Sequence, residues 1–140
     1  MDSKEAIAYL ETAEEQLKDA KLTLREGSYA LCVFLSASSA ENATSALLTN
    51  LGAKPSKKHR NSLVIYRLAQ NTPPEIQSSL LSIIEHLKAV EPHVTKARYP
   101  ILKGSELLPP SRFYTRETAE KILAQTETIL KKTKQLIREQ

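Results

Sequence analysis

The side chains able to do chemistry are few, and most of them are cations. Lys54, Lys57, Lys58, Arg60 and Arg67 fall within fourteen residues that contain no acid. Lys96, Arg98, Lys103, Arg112 and Arg116 fall within twenty-one residues, against Glu106 alone. These two stretches carry +9 and the remainder of the chain −5, so the net charge of +4 hides a strongly polar molecule. Charge density of this kind steers anionic partners such as phosphates and nucleic acid. The expected phosphate- or nucleotide-binding set is His59, Arg60, Lys96, Arg98, Tyr99, Arg112, Tyr114 and Arg116. Arginine can grip phosphate through its planar fork, and tyrosine can stack on a base. Each has a plainer reading beside this one. Arg98 would complement a helix dipole, and the lysines would keep loops solvated.

Glu41 stands apart, as an acid inside a nearly apolar segment. Burying it unpaired is costly, so it needs a partner, either a structural one or Arg60 or Arg98 at a ligand site. No catalytic residues are assigned. Phosphate-cradling glycine loops, nucleotidyltransferase signatures, serine or cysteine triads and paired-carboxylate motifs are all missing from the sequence. His86 and His93 share a helix face two turns apart, whereas zinc sites on one helix use a spacing of four. No metal and no cofactor is expected. The single cysteine, Cys32, excludes an internal disulfide and lies among small apolar residues, as an inert packed thiol would.

The elements that must position these groups are helical. Glycine is scarce and aromatics few, and Ala, Leu, Ile, Glu, Lys and Gln abound across 140 residues, the size of one domain. Ala6, Ala13 and Ala20 alternate with Leu10, Leu17 and Leu24 in one stripe on a helix of about 24 residues that stops at Gly27. Residues 28–51 are small or apolar almost all round, which predicts the central helix of a bundle or half of a dimer interface. A shorter helix starts near Asn61 or Ser62. From Pro74 a seam of Ile76, Leu80, Ile83, Leu87, Val90, Val94 and Ala97 runs past Pro92, where a kink or brief break is expected. Residues 100–114 are expected to form a long loop, and Thr115 to cap a last helix. The fold class is all-α, an up-and-down bundle of four long helices plus one short one. Counting all five helices as alternating, the second and fourth connections emerge at one end, which brings the two basic stretches together.

The order of local signals carries a family likeness. Gly27-Ser28-Tyr29-Ala30 precedes a helix containing Ala40-Glu41-Asn42-Ala43. Then come Lys58-His59-Arg60-Asn61-Ser62-Leu63, Ala97-Arg98-Tyr99-Pro100, and Tyr114 before Ala119-Glu120. In this order and at these separations, from about Ala6 to Leu136, the chain resembles the HEPN domain family (higher eukaryotes and prokaryotes nucleotide-binding). The resemblance implies a small helical bundle that forms homodimers. It also implies nucleotide or RNA binding, or a place beside a minimal nucleotidyltransferase in a toxin–antitoxin-type pair. A nuclease branch of that family carries Arg, four to six residues, then His. Here the residues after Arg60 at that spacing are Ile65, Tyr66 and Arg67, and Arg98 is likewise followed by no histidine. A non-catalytic or weakly catalytic module is therefore expected, with a metal-independent ribonuclease or a ligand-free dimeric scaffold as alternatives. The N-terminus shows no secretory segment and no apolar run reaches bilayer length, so a cytoplasmic protein off the membrane is expected.

Overall fold

A computed structural model of the chain describes residues 3–139. Four long helices, α1 (Lys4–Arg25), α2 (Tyr29–Asn50), α4 (Pro74–Val90) and α7 (Arg116–Glu139), form the bundle. Between them lie three short helices, α3 (Asn61–Ala69), α5 (His93–Lys96) and α6 (Pro110–Phe113), and one hairpin, β1 (Ile101–Lys103) with β2 (Glu106–Leu108). Among the described residues the protein is all-α but for that hairpin.

The alanines of α1 decide how it packs. Ala6, Ala13 and Ala20 are fully enclosed while Leu10, Leu17 and Leu24 are only half-buried. Small side chains let the α1 and α2 backbones approach so closely that the Ser39 hydroxyl donates to the Ala13 carbonyl at 2.6 Å. The apolar α2 is the central helix, with thirteen buried residues from Cys32 to Leu48. Most of its length is covered by its own subunit, as the central-helix reading expects, while Leu31 stays exposed. Ser3 caps α1 through the Ala6 amide, and Thr115 caps α7 through the Thr118 amide at 3.2 Å, as its position before the apolar stripe predicts.

Side-chain contacts fix the helix directions. Arg116 at the start of α7 lies over Tyr29 at the start of α2, and Thr126 donates to the Ser36 carbonyl at 3.0 Å, so these helices run parallel. Lys21–Glu127 and Lys134–Glu14 pairs set α7 antiparallel to α1. His93, just past α4, meets Tyr114, just before α7. The four long helices therefore alternate without α3, and the two basic connections leave the bundle at opposite ends of α2. Equal counting of the short helix fails here.

Convergence comes instead from the chain's path after α2. Gly52 (φ +80°) takes the left-handed conformation past the helix end, and the Gly52 and Ala53 amides donate back to Thr49 and Leu48. The chain then folds back along α2, so that His59 reaches Glu41, nine residues short of the helix end.

Two expectations change in the second half. Near Pro92 the helix breaks outright: α4 ends at Val90 and α5 begins at His93, yet Val94 and Ala97 stay buried, so the seam keeps its phase. Residues 100–114 are not a loop. Ile101 pairs with Leu108, Leu102 with Leu107 and Lys103 with Glu106 around Gly104-Ser105. Gly104 has φ +65° while Ser105 does not, the arrangement of a type II′ turn.

Candidate functional site

The site is built on one buried amide. Asn61, only 1% exposed, donates through Nδ2 to the Glu41 carbonyl at 3.1 Å and to the Thr44 and Ser45 hydroxyls at 3.0 Å. Its Oδ1 accepts from the Ser56 amide at 2.8 Å. The Ser56 hydroxyl in turn accepts from the Lys58 and Arg60 amides, which closes the 56–61 turn. Arg60, rather than Asn61 or Ser62, stands at the N-cap of α3, and Asn61 instead clamps the basic turn to α2. On the outer side the Glu91 carboxylate accepts from both the amide and the hydroxyl of Ser62. A carboxylate there satisfies the exposed N–H groups of α3 and complements its dipole.

Held between these clamps, His59 adopts φ +58°, the left-handed region that non-glycine residues rarely enter. Its Nδ1 meets Glu41 Oε1 at 2.5 Å. Glu41's partner is therefore His59, and neither Arg60 nor Arg98 fills that role. A strained, over-determined backbone beside charged groups is a common mark of a working site. Lys58, His59 and Arg60 line a cleft of about 310 Å³ with Glu91, Pro92 and Thr95 on the opposite wall.

A second group lies further along α2. The Arg98 guanidinium stands 5.7 Å from the Phe34 ring centre and 5.6 Å from that of Tyr99, held by two aromatic faces. Seven residues separate Phe34 from Glu41 on α2, about 10 Å of rise. Arg98 also follows Thr95 of the cleft wall by three residues. The basic turn and the Arg98–Tyr99 pair thus sit on neighbouring stretches of one helix. Arg116, paired with Glu120 at 3.7 Å, and exposed Arg112 in α6 lie beyond, toward the start of α2. Lys96 is exposed beside Thr95. Among the described residues, Arg60, Lys96, Arg98 and Arg112 have no carboxylate within salt-bridge distance.

Tyr114 departs from the expected set. It is 3% exposed and its hydroxyl is 2.8 Å from His93 Nδ1, so it cannot stack on a ligand. The residues that sequence reasoning missed are Asn61 as a clamp, Glu91 and His93. Asn61 left a trace as a polar residue at a helix start, and His93 was weighed only as a metal ligand.

The His93–Tyr114 pair gives a pH signature. Burial, with Lys96 adding to it, lowers the His93 pKa from 6.5. Burial pushes Tyr114 up to about 12. Both shifts favour the neutral forms. The His93 contribution is present above its unfolded value of 6.5 and is lost as pH falls, because the unfolded chain takes the proton more readily. The Tyr114 contribution is present below its unfolded value of 10 and is lost as pH rises toward about 12. Urea midpoints measured against pH should decline on both flanks, and Tyr114→Phe should remove the alkaline decline.

Among the described residues no His, Cys, Asp and Glu cluster could hold a metal, and no helix is long and apolar enough to cross a membrane.

A helical bundle whose central helix carries a clamped basic turn defines a small HEPN-type module. The HEPN domain model matches residues 6–136, and the chain belongs to that family. It is 31% identical over 142 residues to "Putative toxin MJ1304" of Methanocaldococcus jannaschii, covering 97% of this chain and 90% of that protein. TT1696 from Thermus thermophilus superposes with a TM-score of 0.72 at 25% identity, covering 95% of this chain and 98% of that one. ST0689, an archaeal HEPN homologue, gives 0.72 at 26% identity, covering 96% and 99%.

Proposed function

We propose that this HEPN module binds nucleotide or RNA phosphate in the Lys58–Arg60 cleft and works in a toxin–antitoxin-type pair. A minimal nucleotidyltransferase is the protein partner we favour, and we place the module in the cytoplasm as a homodimer. The observation that carries the ligand half is the clamped turn itself. Three consecutive basic residues face one cleft that Glu91 also lines, and among the described residues Arg60 has no carboxylate within salt-bridge distance. Phosphate would sit against Arg60 and Lys58, with the Thr95 hydroxyl within the same cleft and a base over exposed Tyr99. The likeness to a protein named as a toxin supports the pair.

Fluorescence anisotropy with a labelled single-stranded RNA oligomer and with labelled ATP tests this reading. Arg60→Ala should weaken binding about tenfold and reduce the slope of log affinity against log salt by about one. An affinity undetectable at low ionic strength would remove the ligand half.

The Glu41–His59 pair beside Arg60 favours one second reading, a metal-independent ribonuclease. An oriented imidazole can exchange a proton, and Arg60 can stabilise developing phosphate charge. Cleavage of labelled RNA in EDTA, lost in His59→Ala, would establish it. No cleavage would reject it.

A further inference from the structure

The β1–β2 hairpin has a face and two edges that nothing among the described residues covers. Ile101 is half-buried against the core, and its cross-strand partner Leu108 is half-buried beside it. Alternation places their neighbours Leu102 and Leu107 on the other face, where they are 69% and 64% exposed. Because they are cross-strand partners, the solvent face of the hairpin is an apolar pair rather than the usual polar one. Exposed Tyr99 sits two residues before β1.

The backbone is equally open. In a two-residue-loop hairpin the pair beside the loop, here Lys103–Glu106, exchanges its backbone hydrogen bonds within the hairpin. The next pair, Leu102–Leu107, then points its N–H and C=O groups outward. Among the described residues neither edge receives a backbone hydrogen bond from elsewhere. Pro100 and Pro109 bound the two three-residue strands, so the open backbone is confined to Leu102 on one edge and Leu107 on the other.

Charge selects the occupant. Residues 96–116 carry five cations and one acid. A second copy docked by twofold symmetry would set two such surfaces face to face, which repels. Nucleic acid would gain from the arginines but little from two leucines on a sheet edge. We propose that the 101–108 hairpin is a docking edge for an extended acidic segment of a partner protein. That segment adds as a third strand, with apolar side chains beside Leu102 and Leu107 and carboxylates toward Arg98, Lys103 and Arg112. The inference is independent of the phosphate cleft.

The probe is a fluorescein-labelled decapeptide alternating Leu with Glu, measured by anisotropy against the full chain. Two control peptides replace Glu with Lys, or methylate alternate backbone nitrogens. The Leu/Glu peptide should bind at least tenfold more tightly than either control. Leu102→Ser with Leu107→Ser should weaken it at least tenfold, with an unchanged circular dichroism spectrum and unchanged RNA affinity. Equal binding of the three peptides, or no effect of the double substitution, overturns the proposal. So does a wild-type dimer that the substitution dissociates, because the occupant is then a second copy. A loss of RNA affinity in the double variant overturns it in favour of nucleic acid.

Discussion

Asn61→Ala should destabilise the protein by about 3 kcal/mol, because it removes four hydrogen bonds at once and takes from the Ser45 hydroxyl and the Ser56 amide the partner that Asn61 supplies. The Glu41 carbonyl and the Thr44 and Ser45 hydroxyls lose their donor, and the Ser56 amide loses its acceptor. Urea unfolding at neutral pH measures the effect. Asn61→Asp separates the two halves of the clamp: it keeps an acceptor for Ser56 but replaces the amide donor with a charge that faces oxygen atoms. Its loss should be at least as large. Because this clamp holds the basic turn against α2, ligand affinity at the Lys58–Arg60 cleft should fall in the same variants, even under conditions where they remain folded. A loss below about 1 kcal/mol, the size of one ordinary hydrogen bond, would mean that the turn is held by the Glu91 and His59 contacts alone.

Ala20→Leu should destabilise by about 3 kcal/mol through overpacking, with no loss of any polar contact. Ala20 is fully enclosed, in the alanine line along which α1 lies close enough to α2 for a side-chain hydroxyl to reach the opposite backbone. Three extra heavy atoms must push the helices apart, and both belong to the core. The contrast is Leu22→Ala on the same helix. Leu22 is 41% exposed, and its truncation should cost less than about 1 kcal/mol. Thermal unfolding of the two variants side by side checks the ranking. Reversal of that order would mean that the exposed face of α1, rather than its alanine line, carries the packing.

The helices were legible in the sequence because their apolar spacing is local. The alanine stripe of α1, the all-round apolar character of α2 and the seam from Ile76 to Ala97 each follow from periodicity within one segment. The seam survived the break at Pro92 because Val94 and Ala97 hold the same phase. The hairpin escaped notice although its signal was present. Ile101-Leu102-Lys103 and Glu106-Leu107-Leu108 flank a Gly-Ser pair, a recognised two-residue turn. The prolines at 100, 109 and 110 dominated the reading of that stretch and hid it.

The site was legible only as a list of residue types. Glu41's need for a partner followed from its apolar surroundings, but the partner was decided by the path of residues 52–60, which no periodicity encodes. Tyr114 shows the same limit. A tyrosine before a helix can stack on a ligand or bury its ring, and the position of His93, twenty-one residues earlier, settled that it is buried.

By itself, the sequence determined where the four long helices lie, the apolar faces, the concentration of charge in two stretches and the resemblance to the HEPN family. These depend on short-range spacing and composition. Tertiary structure alone decided that α3 does not count as a bundle member, that the basic turn folds back along α2, and that Glu41 meets His59. Such facts arise from contacts between segments far apart in the chain, where one left-handed glycine and one buried amide set the direction of everything that follows them.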